Sequence, residues 1–110
     1  MAGERRREER FLVSNMTARV NGLDCPIIDI SRTAVRLLRP AGLVIDPGPW
    51  RLCLAYSIGG SGNFVEMEAR LIRFGPGFIV LKYLPPHDRW QEDLRALDTF
   101  EHAKIDALAF

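Results

Sequence analysis

The sequence has no long hydrophobic run, and this excludes one class of protein at the outset. No apolar stretch approaches the ~20 residues that span a bilayer, so we expect no membrane helix. The first ten residues are charged and contain no apolar segment of the kind found in a secretory signal. We therefore expect a cytoplasmic protein.

Cysteine and histidine are scarce as well. Cys25 and Cys53 have neither a CxxC spacing nor a neighbouring histidine, which favours reduced, buried thiols; a disulfide is the minority alternative. His87 and His102 match no spacing of metal ligands. We therefore predict no metal site.

An excess of one charge is also missing. The 110 residues carry 15 Lys and Arg against 14 Asp and Glu, and a net charge of +1 does not favour DNA or RNA as a partner. The length corresponds to one domain, and an apolar content of 47% is typical of a globular protein. Arginine is concentrated at the N-terminus, where four of the first ten residues are Arg and three are Glu.

Alternating hydrophobicity dominates the middle of the chain and predicts β-strands. The clearest case is residues 50–58, where every second residue from Trp50 to Ile58 is large and apolar. Pro26 favours an edge or a bulge in the second predicted strand. The pattern indicates an all-β fold, a small six-stranded antiparallel β-barrel, with strands at 11–20, 23–30, 35–38, 50–58, 65–71 and 78–84.

A C-terminal helix is predicted after the last strand. Asp88 is expected to cap it, and the helix is expected to cover about 87–108, with a break near Thr99 as the alternative. We expect it to cover an open end or edge of the barrel with the apolar residues at helical spacing, Trp90, Leu94 and Leu97.

Two polar residues stand at the end of the second predicted strand. On a continuing strand Asp29 and Ser31 point to the same face, where they offer a carboxylate acceptor and a hydroxyl. They can contact a ligand there, or they can satisfy the local backbone of a turn. These two residues by themselves favour the turn.

The arginine run at the N-terminus provides a second candidate. Guanidinium groups bind phosphate oxygens in pairs, stack on aromatic rings and match the O6/N7 edge of guanine. For this run alone, a solvated tail with weak Arg–Glu pairs is the favoured alternative. We expect residues 1–10 to form a mobile arginine-rich segment and residues 11–110 to form the single domain.

Together, the two motifs resemble the signature of the PilZ domain family, RxxxR followed downstream by [D/N]xSxxG. Arg6 and Arg10 match the first motif, and Asp29 and Ser31 match the second. Phe11 follows the arginines, as it often does in that family. The resemblance extends over nearly the whole chain, from the arginine run through the β-barrel to the final helix.

The resemblance implies a bacterial receptor or adaptor for the second messenger cyclic di-GMP, acting on a downstream protein partner. Arg6 and Arg10 are then expected to contact the phosphates and guanine, and Asp29 and Ser31 to bind a guanine edge. Arg5 stands just before the first motif, a position that in the family goes with binding two stacked nucleotides. The implied nucleotide site therefore also includes Arg5.

One position departs from the family signature, because Ala34 stands in place of its glycine. If the backbone there needs a positive φ, a Cβ costs about 1 kcal/mol. If the backbone approaches the ligand closely, the methyl group meets the ligand. The alternative function is therefore a degenerate PilZ-like protein-interaction module that does not bind the nucleotide.

Other functional classes have less support. A small barrel with Arg and aromatic residues can bind single-stranded nucleic acid, but the near-zero net charge disfavours this. The stretch Gly59-Gly60-Ser61-Gly62 lacks the lysine of a phosphate loop and indicates a hairpin. No residue pattern resembles a nucleophile with its base, so we expect neither an enzyme nor a cofactor.

Overall fold

The computed structural model of the chain describes residues 8–99, which form one antiparallel sheet followed by a helix. The predicted all-β fold with a C-terminal helix is confirmed, and the sheet curls into a half-barrel. Its strand order is β2-β1-β5-β6-β7-β4-β3. The elements are β1 (Met16–Val20), β2 (Leu23–Asp24), β3 (Ile27–Ile30), β4 (Ala34–Leu38), β5 (Trp50–Ile58), β6 (Ser61–Phe74), β7 (Phe78–Tyr83) and α1 (Trp90–Leu97).

The sheet has seven strands instead of six because the predicted strand 23–30 divides around Pro26. Proline has no backbone N–H for a ladder hydrogen bond, so an uninterrupted strand through this position is disfavoured. β2 pairs with β1, whereas β3 pairs with β4, and the two short strands lie at opposite edges of the sheet. Because of this division, Asp29 lies in β3, a strand at the edge of the sheet.

The hydrophobic core follows the predicted alternation. In β5, Trp50, Leu52 and Leu54 are at most 1% exposed. The helix adds Trp90 and Leu94, both fully buried, to the same cluster. Complete burial of such a side chain contributes about 1.5–3 kcal/mol. Apolar residues therefore occupy every inward-facing position of the strand, and this alternation is visible in the sequence.

The segment before β1 joins the β3 edge at one pair of residues. The Phe11 N–H donates to the Ile30 carbonyl at 2.7 Å, and the Ile30 N–H donates back at 3.0 Å. Phe11 is fully buried, so this pairing is fixed by the core. It places the end of the arginine run, Arg10, beside the end of β3.

Helix α1 begins later than predicted. Arg89, not Asp88, occupies the N-cap position, and it makes no side-chain capping hydrogen bond. The acidic residues Glu92 and Asp93 lie in the first turn, where negative charge interacts favourably with the helix dipole.

Within residues 8–99, no helix is both long and apolar enough to cross a membrane.

Helix α1 ends at Leu97, which agrees with the predicted alternative of a break near Thr99. Asp98 is extended because it pairs with Val13, and its carboxylate accepts a hydrogen bond from the Leu12 N–H at 3.0 Å. These contacts with the N-terminal segment compete with another helical turn. Residues beyond 99, where the predicted helix continued, lie outside the described part of the chain.

The two cysteines are free, in agreement with the main expectation from their spacing. Cys25 is buried beside β2, and Cys53 is partly buried in β5. Burial raises the pKa of the Cys25 thiol. This residue is therefore a neutral part of the core.

Candidate functional site

The predicted site residues that fall in the described range lie together. One small cavity is lined by Arg10, Asp29, Ser31 and Ala34, together with two further arginines and two valines, Arg36, Arg73, Val35 and Val80. The other two predicted residues, Arg5 and Arg6, precede residue 8 and lie outside the described part of the chain. The structure thus places Arg10, the second arginine of the RxxxR motif, beside Asp29 and Ser31 of the second motif.

Asp29 is the buried carboxylate in the wall of this cavity. It is 8% exposed, and it lies directly opposite Arg36 in the β3–β4 ladder. The Arg36 Nη2 atom donates to Oδ2 at 2.6 Å, and the Arg10 Nη1 atom contacts both carboxylate oxygens at 3.4 Å. A carboxylate this buried requires such partners. Arg36 is therefore its firm partner, and Arg10 is a looser one.

The cavity contains two cations that the sequence analysis missed, Arg36 and Arg73. Arg36 is the polar residue between buried Val35 and Leu37, so the alternation in β4 already placed it opposite the core. Arg73 comes from β6, next to a register shift after Leu71. No local pattern indicates that β6 reaches this cavity, because the approach depends on strand order.

Arg36 also has an unsatisfied group. Its Nε atom is buried and has no hydrogen-bond partner within the described part of the chain. A buried donor without a partner costs free energy, and such groups are few in folded proteins. The guanidinium therefore retains hydrogen-bonding capacity beside the cavity, in addition to its bond with Asp29.

The turn after β3 is closed by Ser31. Its N–H donates to the Ala34 carbonyl at 2.7 Å, and its Oγ accepts from the Ala34 N–H at 3.2 Å. Ser31 thus satisfies the local backbone, as the turn interpretation expected. Its hydroxyl also donates to a residue distant in sequence, Glu8, at 2.9 Å.

Ala34 does not have the backbone conformation that would penalise an alanine. Within residues 8–99, Asn21 is the only residue other than glycine with positive φ. Ala34 opens β4 and pairs with Lys82 in β7, so it has ordinary strand geometry. The alanine therefore carries no conformational penalty here, and the expectation of a strained backbone at Ala34 is wrong. Ala34 lines the cavity, so the second effect, a methyl group that meets the ligand, is decided by ligand binding to an Ala34→Gly variant.

Glu8 is a further residue that the sequence analysis missed. Its Oε1 atom accepts hydrogen bonds from Ser31 Oγ at 2.9 Å, Thr33 N at 3.1 Å and Thr33 Oγ1 at 2.6 Å. The Arg32 guanidinium lies 4.0 Å from Oε2. Partial burial by itself would raise the pKa of Glu8, but these hydrogen bonds and the Arg32 charge lower it below its ordinary value.

The site is tied to helix α1 through two sets of contacts. The Tyr83 hydroxyl donates to the Ser31 carbonyl and accepts a hydrogen bond from Trp90 Nε1 at 2.9 Å. On the N-terminal side, Arg95 in the helix contacts Glu9 at 2.8 Å. The turn is therefore linked to the helix through Tyr83 of β7, and the arginine run is linked to it directly through Glu9.

The cavity itself is small. Its volume is about 40 Å³, close to the ~30 Å³ that one water molecule occupies in the liquid. A larger cavity of about 450 Å³ lies against β6 and β7, and its charged lining residues are Glu68, Arg70 and Lys82. At the Asp29 site, by contrast, two arginines contact one carboxylate. A ligand at the Asp29 site would lie across the surface of the sheet edge, not inside it.

Several solved structures have similar folds, including the following two. An uncharacterized Legionella protein superposes with a TM-score of 0.55 and 16% identity, covering 90% of this chain and 97% of its own. The Bacillus subtilis inhibitor of motility (MotI/DgrA) superposes with a TM-score of 0.64 and 17% identity over 91% of this chain. This chain spans about half of the Bacillus protein, 52% of its length.

The sequence itself has no comparable match. No protein-family model and no curated protein matches it. At 16% and 17% identity, the two structural similarities establish the fold alone. The assignment of a function therefore depends on the residues at the Asp29 site.

Proposed function

We propose that this chain is a PilZ-like receptor that binds cyclic di-GMP at the Asp29 site and signals to a protein partner. The observation that carries the proposal is the convergence of two guanidiniums, from Arg10 and Arg36, on the Asp29 carboxylate beside the Ser31 hydroxyl. The resemblance of the two motifs to the PilZ signature suggests the ligand. The fold shared with an inhibitor of motility supports a regulatory role.

Asp29 is proposed to recognise guanine. Its Oδ2 atom is held by Arg36 at 2.6 Å, but among residues 8–99 its Oδ1 atom has only the 3.4 Å contact with Arg10, near the limit of a hydrogen bond. A carboxylate offers about four lone-pair positions, so Oδ1 retains capacity for the N–H donors of a guanine edge. Arg36 keeps the Asp29 carboxylate oriented while Oδ1 changes its partner from Arg10 to guanine.

Arg10 is proposed to leave Asp29 and contact the nucleotide. Its side chain is 53% exposed, so turning toward a ligand costs little burial. Arg36 and Arg73 remain beside the cavity, and three guanidiniums against one carboxylate attract a dianionic dinucleotide. Bidentate guanidinium contacts suit both the phosphate oxygens and the O6/N7 edge of guanine.

The proposed output is a change at helix α1. The segment that contains Arg10 also bonds to the helix end, since the Thr99 N–H donates to the Leu12 carbonyl at 2.7 Å. Glu9 in the same segment contacts Arg95. If Arg10 turns toward a ligand, the neighbouring Glu9 moves with it, and loss of the Glu9–Arg95 contact alters the surface that the helix presents to a partner. The role requires binding and no chemical reaction.

A second candidate is the interaction module that does not bind the nucleotide. It is favoured by one observation: the hydroxyl of Ser31 already has an internal acceptor, Glu8, at 2.9 Å. A site whose donors are satisfied internally gains less from a ligand, because the internal bonds must break first.

A calorimetric titration with cyclic di-GMP, with the linear dinucleotide and GMP as controls, tests the proposal. Saturable heat with the cyclic ligand alone supports the receptor. A folded protein that gives no heat with any of the three ligands supports the interaction module instead.

A further inference from the structure

We propose that the turn after β3 is an oxyanion cradle that the Glu8 carboxylate fills in the ligand-free protein. The cradle consists of three donors: Ser31 Oγ, Thr33 N and Thr33 Oγ1. The ligand class that fits these donors is a phosphate oxygen. The inference rests on the proposed function for the source of that phosphate, a cyclic dinucleotide, and it adds that Glu8 competes with the nucleotide.

The geometry is that of a bound anion. All three donors point to one oxygen, Oε1 of Glu8, at distances of 2.9, 3.1 and 2.6 Å. The Arg32 guanidinium lies 4.0 Å from the other oxygen and adds positive charge. Backbone N–H groups, hydroxyls and a guanidinium are the groups that bind phosphate in proteins.

A ligand can displace the Glu8 carboxylate from the turn at low cost. The Glu8 side chain is 40% exposed, so water can replace its contacts with the turn, and its 4.0 Å ion pair with Arg32 contributes little. Glu8 is two residues from Arg10, so a turn of Arg10 toward a ligand moves the same short segment. Ser31 has one hydroxyl proton, and it can serve a ligand only after its bond to Glu8 is broken.

The chain contains a matched control in the neighbouring glutamate. Glu9 carries the same charge and is similarly exposed, at 47%, but it contacts Arg95 in the helix and not the turn. Glu8→Ala and Glu9→Ala therefore change the net charge equally. An effect confined to Glu8→Ala belongs to the cradle, whereas an equal effect of both belongs to general electrostatics.

The first experiment uses inorganic phosphate as the probe and does not depend on any nucleotide. The Thr33 amide resonance of ¹⁵N-labelled protein is followed during a phosphate titration of the wild type, Glu8→Ala and Glu9→Ala. We expect a saturable shift only in Glu8→Ala. An unmoved Thr33 resonance in Glu8→Ala, or the same shift in all three proteins, would overturn the cradle.

The second experiment titrates the same three proteins with cyclic di-GMP. We expect Glu8→Ala to bind about fivefold more tightly than Glu9→Ala, the gain for removing a competitor worth ~1 kcal/mol. Equal affinities in all three proteins would refute the competition and leave the receptor function intact. If no protein binds cyclic di-GMP while phosphate still binds Glu8→Ala, the cradle stands and the receptor function fails.

Discussion

The hydroxyl of Tyr83 donates a hydrogen bond to the carbonyl oxygen of Ser31, 52 residues away in sequence. The same hydroxyl accepts a hydrogen bond from the Trp90 indole at 2.9 Å. Tyr83 is 3% exposed, and burial raises the pKa of its phenol well above the ordinary value. One neutral side chain therefore joins the turn of the site to helix α1.

The first prediction concerns this link. Tyr83→Phe should lower the free energy of unfolding by about 1–3 kcal/mol, because the Ser31 carbonyl and the Trp90 N–H lose a partner in the protein interior. Urea denaturation of both proteins measures the difference, with an unchanged m-value as the control for an intact fold. A loss below about 0.5 kcal/mol would show that the link is not needed for stability.

The second prediction concerns Arg36. Arg36→Leu should lower the free energy of unfolding by about 1–2 kcal/mol, less than for a fully buried pair because the Arg36 side chain is 36% exposed. The control is Arg19→Leu, which breaks the exposed pair with Asp24 and should cost under about 0.5 kcal/mol. Equal losses in the two variants, measured by urea denaturation, would contradict the central position of Asp29.

The strand pattern and the core were predictable from the sequence because both follow from local alternation. Trp50, Leu52 and Leu54 are buried where the period of two places them. The end of helix α1 was predicted only as one of two alternatives, a break near Thr99. It depends on the bond between Leu12 and Asp98, which are 86 residues apart.

The site was predictable in part for the same reason. Asp29 and Ser31 stood out as polar residues at a strand end, and the structure places Arg10 next to Asp29 through the Phe11–Ile30 pair. Glu8 and Arg73 were missed because their contacts depend on how distant strands are arranged. From the sequence alone, a glutamate inside an arginine run is interpreted as a local ion-pair partner, because the turn that binds it is distant in sequence.

The third prediction concerns acid. The pKa of Glu8 is lowered in the folded protein from an ordinary value of 4.5, so its contact with the turn stabilises the fold above that value. The contribution is lost as the pH falls through the lowered pKa. Wild type and Glu8→Ala should thus differ most in melting temperature near neutral pH and converge in acid. A difference that grows below pH 4.5 would have the wrong sign.

The fourth prediction concerns Ala34. Because its φ is not positive, Ala34→Gly relieves no backbone strain and should lower the free energy of unfolding by about 0.4–1 kcal/mol. We expect the dissociation constant for cyclic di-GMP to stay within about twofold, a change under ~0.5 kcal/mol. Calorimetry and thermal melting on the same pair of proteins measure both effects. Much tighter binding by the glycine variant would show that the Cβ obstructs the ligand.

The fifth prediction tests the account most directly, through the dissociation constant of cyclic di-GMP measured by calorimetry for the wild type and Arg10→Ala. The substitution should leave the fold intact, because the Arg10 side chain is 53% exposed and Phe11 anchors the segment in the core. Loss of a charge-assisted contact should weaken binding by about 1.5–3 kcal/mol, roughly 10- to 150-fold. An unchanged dissociation constant in Arg10→Ala, or no binding by the folded wild type, would contradict the proposed receptor site.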